Sequence, residues 1–206
     1  MGTILARGKR SVPALEDVRS LCKKLYEDED ASAREFAELL QILFSSTVLQ
    51  SGETLRAKDN AGEGVVGARV DRQVLKLNNG HFLKFRMNYQ IGKDLPLTVT
   101  EANFQYQLDE NTFSNRFIFR YDFERKPSAP NHPTAHLQIK GNLREKVTEK
   151  DLEDIRFPVN RPSVESMLRL MLTDFDLTGN QENWAEILKE SEDRFFDYLA
   201  KKRLAE

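Results

Sequence analysis

The feature that most constrains this chain is a strict two-residue alternation through its middle. Apolar side chains recur at Leu75 and Leu77, at Leu83, Phe85, Met87 and Tyr89, and at Ala102, Phe104, Tyr106 and Leu108. The pattern continues at Phe117, Phe119, Tyr121 and Phe123, and again at Ala135, Leu137 and Ile139. Side chains two apart share one side of an extended chain, so each run predicts a strand with one buried face. Asn78-Asn79-Gly80 predicts a three-residue turn with Gly80 in the left-handed region, pairing Leu75 with Leu83 and Leu77 with His81. A two-residue turn would set Lys76 against Leu83 and put a charge on the apolar face, so the longer turn is expected. Residues 109–112 predict a four-residue loop. That loop pairs Leu108 with Phe113, Phe104 with Phe117, Gln105 with Arg116 and Glu101 with Arg120.

Both ends of the chain switch to helical spacing. Leu15, Val18, Leu21, Cys22 and Leu25 form one apolar stripe, with Ser11 as its cap and Pro13 in its first turn. Ser32-Ala33-Arg34-Glu35 is a capping box ahead of Phe36, Leu39, Leu40, Leu43 and Phe44. Ser163 caps a third stripe of Val164, Met167, Leu168, Met171 and Phe175, and the last helix buries Trp184, Ile187, Leu188, Phe195 and Leu199. Pro127, Pro130 and Pro133 mark a loop, and residues 148–153 read as one capped helical turn. The expected fold is α+β. A single domain over residues 1–206 has N-terminal helices within 1–52, an antiparallel β-meander of about five strands within 63–141, and C-terminal helices within 148–203. Helices from both ends cover one sheet face.

Composition narrows the function classes. There are 31 Lys and Arg against 33 Asp and Glu, a net charge of −2, which argues against gripping nucleic acid by bulk charge but allows a local basic patch. Cys22 is the only cysteine, so no internal disulfide and no cysteine-based metal site is expected, and it reads as a core thiol in a reducing cytoplasm. No secretory leader and no apolar run approaching roughly 18 residues is evident, so no membrane role is expected. Gly62 to Gly67 has GxGxxG spacing but neither follows a clear strand nor opens a helix, and it reads as a flexible turn. No phosphate loop or nucleophile elbow is present, and no cofactor or metal is called for.

The polar sides of the strands carry the chemistry. Lys84, Arg86, Asn88 and Gln90 alternate along one strand, Glu101, Asn103, Gln105 and Gln107 along the next. Arg116, Arg120 and Asp122 follow, then His136, Gln138 and Lys140. His136 is expected beside Arg120 or Asp122. Such a face is either solvated decoration with cross-strand ion pairs, or a site. As a site, His136 is the proton-transfer group, Arg120 the phosphate fork and Asp122 the group that orients the histidine. Glu101, Arg86, Arg116 and His132 are the surrounding binding candidates. His81, at a hairpin end, reads as structural.

The stretch Phe117-Ile118-Phe119-Arg120-Tyr121-Asp122, a Pro-rich loop with His132-Pro133, and His136 on the following strand resemble the central motif of the TumE-like toxin family of prokaryotic toxin–antitoxin systems. The resemblance covers about half the chain, from Leu75 to Phe175. The chain departs from it in its extra terminal helices and in a thinner histidine cluster, with Ala135 and Gln138 around His136. The resemblance implies a toxin-like or mobile-element-associated protein acting on RNA, with Arg120, Asp122, His132 and His136 at motif positions and a cognate antitoxin as partner. The alternative is a non-enzymatic interaction module that binds a protein partner.

Overall fold

A computed structural model describes residues 12–27, 33–60, 63–67, 74–90, 97–114, 116–126, 134–140 and 163–205. The fold is α+β. Two helices, α1 (Val12–Glu27) and α2 (Ala33–Thr47), precede the strands β1 (Arg56–Asn60), β2 (Glu63–Gly67), β3 (Leu75–Lys76), β4 (Phe82–Gln90), β5 (Thr98–Gln107), β6 (Phe117–Glu124) and β7 (Ala135–Ile139). Helices α3 (Val164–Asp174) and α4 (Trp184–Ala205) close the chain. The strands form one antiparallel sheet in the order β1-β2-β4-β5-β6-β7, with β3 pairing the start of β4 beside β2. Strands β3 to β7 are the five expected from alternation. The β1–β2 hairpin extends the sheet, so residues 63–67 are a strand paired to β4 rather than a flexible turn.

Turn chemistry fixes the first register as expected. Leu75 lies opposite Leu83, the Leu77 amide donates to the His81 carbonyl at 2.9 Å, and Gly80 has φ +85°. A side chain there would meet no neighbour, so the left-handed backbone alone favours glycine. The second register differs from expectation by four residues. Phe104 faces Tyr121 rather than Phe117, Gln105 faces Arg120, and Glu101 faces Glu124. Arg116 instead accepts the Leu108 amide at 3.0 Å, and Phe113 stands 89% exposed in a longer loop. A shift of four preserves parity, so the apolar faces still coincide.

That apolar face is three rows of rings and aliphatics. Leu83, Tyr106, Phe119 and Ile139 lie in one, Phe85, Phe104, Tyr121 and Leu137 in the next, Met87, Ala102, Phe123 and Ala135 in the third. Helix α2 lies on it: Phe44 meets Phe85 at 4.9 Å between ring centroids, and Phe36 meets Tyr89 at 4.8 Å. Phe175, at the end of α3, packs on Tyr106 and Phe119, each at 5.4 Å. Helix α1 packs on α2 and α4, away from the sheet. The stripe residues Val18, Leu21, Cys22 and Leu25 are buried between these helices. Ser163 caps α3 as expected, its Oγ accepting from the Ser166 amide at 3.0 Å. The α3–α4 connection is tied to the rest by Asn180, whose side chain donates to the carbonyls of Leu49 (2.6 Å) and Ser45 (3.0 Å). Gly179 makes this possible, since a Cβ there would lie 2.1 Å from Cδ1 of Trp184. The expected caps Ser11 and Ser32, the proline loop, residues 148–153 and His132 lie outside the described residues.

Candidate functional site on the polar sheet face

The registers arrange the opposite face of β4 to β7 in rows. Lys84, Gln105, Arg120 and Gln138 form one, and Arg86, Asn103, Asp122 and His136 the next. Asn88, Glu101 and Glu124 form a third. Beyond Lys84 lies a fourth: Phe82 opposite Gln107, and Gln107 opposite Phe117, with Lys140 bonded through its amide to Ile118. Charge therefore changes along the strands. The Phe82 and Lys84 rows carry Lys84, Arg120 and Lys140 with no carboxylate, whereas the far row carries Glu101 and Glu124.

Phe117 was expected on the apolar face with Phe119. A bulge at Ile118 reverses that, because the extra residue breaks alternation and leaves Phe117 on the polar side. There its ring supports two cations, Arg120 at 5.7 Å and Lys140 at 5.5 Å from its centroid. A second bulge, at Thr100, lets Val99 join Tyr89 in the core.

Asp122 is the hub of the central row. Its Oδ2 accepts from Arg120 Nε at 2.8 Å and lies 3.2 Å from His136 Nε2, while Oδ1 accepts from the Asn103 side chain. His136 thus falls beside Asp122, one of its two expected neighbours. All three groups are partly covered, with side-chain exposures of 34% for Arg120, 22% for Asp122 and 21% for His136. His136 Nε2 faces Asp122, and Nδ1 is shielded from solvent. Arg120 uses Nε on Asp122 and one face on Phe117; its two terminal amino groups have no partner among the described residues. The result is a guanidinium held from behind with its fork open.

The remaining candidates are spread around this centre. Glu101 accepts from Asn88 at 2.6 Å, and Arg86 donates to Asn88 at 3.3 Å, so they form a separate chain of polar contacts. The expected Glu101–Arg120 pair does not form, since Glu124 occupies that place. Arg116 is exposed at the start of β6. On this face Gln105 and Gln107 are buried, whereas Arg86, Gln90 and Gln138 are exposed. His81 is structural, with Nδ1 2.6 Å from the Tyr106 hydroxyl.

No family model, curated protein or solved structure matches this chain. Among the described residues, no helix is long and apolar enough to cross a membrane, and no three His, Cys, Asp or Glu side chains are grouped to hold a metal ion. Phe82 and Phe117 escaped sequence reasoning for different reasons. Parity alone could have assigned Phe82, whereas nothing in the sequence marks the bulge that turns Phe117.

Proposed function

We propose that the polar sheet face binds RNA, that Arg120 is its phosphate anchor, and that the protein is a toxin-like, RNA-acting protein of the kind its Arg120-Tyr121-Asp122 motif resembles. One observation carries the reading: Arg120 is fixed by Asp122 and Phe117 while its terminal amino groups have no partner among the described residues, in a row of the sheet that carries no carboxylate. A guanidinium held in this way is pre-organised for a bidentate phosphate contact, because little side-chain entropy remains to be lost. Lys84 and Lys140 supply further positive charge along the same rows. A net charge of −2 makes such binding local rather than global.

Asp122 is the positioning residue for Arg120. His136 buttresses Asp122 from the next strand, and cleavage would require one of its nitrogens to open toward the ligand. A cognate antitoxin that covers this face fits the same reading. The test is expression of wild type, Arg120→Ala and His136→Ala in a bacterial host, with growth and RNA integrity followed, and RNA retention measured on purified protein. Retention by wild type and its loss in Arg120→Ala are expected. A wild type that neither slows growth, degrades RNA nor retains it rules the reading out, and a pull-down for a protein partner is then the next measurement.

A further inference from the structure

The loop joining β5 to β6 is tied to the polar face through Gln107. Gln107 lies on that face, fully buried, and its side-chain amide donates to the carbonyls of Asp109 (2.6 Å) and Asn111 (3.0 Å). The loop backbone is thereby drawn onto the polar side of the sheet. Its other polar side chains hold its shape. Asp109 accepts from the Asn111 amide at 3.1 Å and from Ser114 Oγ at 2.8 Å. Asn111 accepts from the Phe113 amide at 3.0 Å, and Ser114 Oγ accepts from the Arg116 amide at 3.0 Å.

What this hydrogen-bonded loop presents is the ring of Phe113, 89% exposed. So exposed a ring buries almost no area and contributes little to folding. Arg116 follows it at the loop's exit, and Phe117 beyond carries Arg120 and Lys140 on its ring. An exposed aromatic ring on a hydrogen-bonded loop that leads into a strand carrying cations is an arrangement that takes unpaired bases: the ring stacks and the cations meet the backbone. In a duplex the base faces are already covered by their neighbours.

We infer that Phe113 is a base-stacking residue and that the ligand of this face is single-stranded RNA, with a phosphate meeting Arg120; the inference rests on the RNA reading above. The test titrates the full chain with labelled oligouridylate, free and annealed to oligoadenylate, using wild type, Phe113→Ala, Phe113→Tyr and Phe113→Leu. Wild type should prefer the single strand. Phe113→Ala should weaken single-strand binding roughly 5- to 100-fold and leave duplex binding unchanged. Tyr should restore it and Leu should not, with all variants melting as wild type does. Normal single-strand binding by Phe113→Ala, or full rescue by Leu, overturns the stacking role and leaves the RNA reading standing. Failure of wild type to bind either form defeats that underlying reading.

Discussion

Asp122 touches three side chains at once, and each contact constrains a different variant. Asp122→Ala should free the Arg120 guanidinium and weaken RNA binding even though no positive charge is lost. Asp122→Asn keeps the shape and should retain more of it. Binding isotherms of the two variants check this positioning role. Cys22 is opposite in character. Burial pushes its thiol up to about 12, which disfavours the nucleophilic thiolate, and alkylation should require unfolding of the chain. Rapid labelling of the native protein would contradict that. Glu165 is enclosed between α3 and α4, where Ser191 Oγ donates to it at 2.6 Å. Burial holds its carboxyl above the ordinary range despite that bond, and nearby Glu192 acts in the same direction. Between the ordinary and raised values the folded protein binds more protons than the unfolded chain, so stability falls as pH rises through that window. Glu165→Gln should therefore melt above wild type at neutral pH. The difference should vanish below the ordinary carboxylate range, about 4.3. Melting curves across pH measure it.

Two phenylalanines differ in what they contribute to stability. Phe119 is fully buried, stacked on Phe104 with centroids 6.3 Å apart and touching Phe175 at 5.4 Å. Phe119→Ala should cost about 3–5 kcal/mol, read as a lower denaturation midpoint, whereas Phe113→Ala should leave it unchanged. The same strands show what could be read from sequence. Period-two alternation assigns faces by parity, and parity survives the four-residue slip between β5 and β6, so Glu101, Arg120, Asp122 and His136 share a face although the expected Glu101–Arg120 pairing was wrong. The slip arises because the side chains of Gln107, Asp109 and Asn111 build a longer loop than 109–112, and no local apolar pattern records that preference. Only an odd insertion changes a face, and the bulge at Ile118 is one, so Phe117 was misread while Arg120 was not. The β1–β2 hairpin went unseen because Arg56, Ala57 and Lys58 are exposed and carry no apolar alternation. Its place is set by pairing with β4.

At the scale of the whole molecule the two sheet faces differ in cover and in charge. One is packed by α2 and, through Phe175, by the end of α3, with α1 on α2 and α4. The other keeps a graded row pattern, basic and aromatic near Phe82 and Phe117, acidic near Glu101 and Glu124. A chain of net charge −2 that binds RNA through such a patch must do so with few phosphate contacts and with strong salt sensitivity. The most direct measurement is the affinity of purified wild type and Arg120→Ala for a single-stranded RNA over a range of salt concentrations. The account predicts that wild-type affinity falls with salt, and that Arg120→Ala binds roughly tenfold more weakly with a log–log slope shallower by about 0.7, one phosphate contact on a single strand. Equal affinity and equal slope for the two proteins, with the fold of both intact, would contradict it.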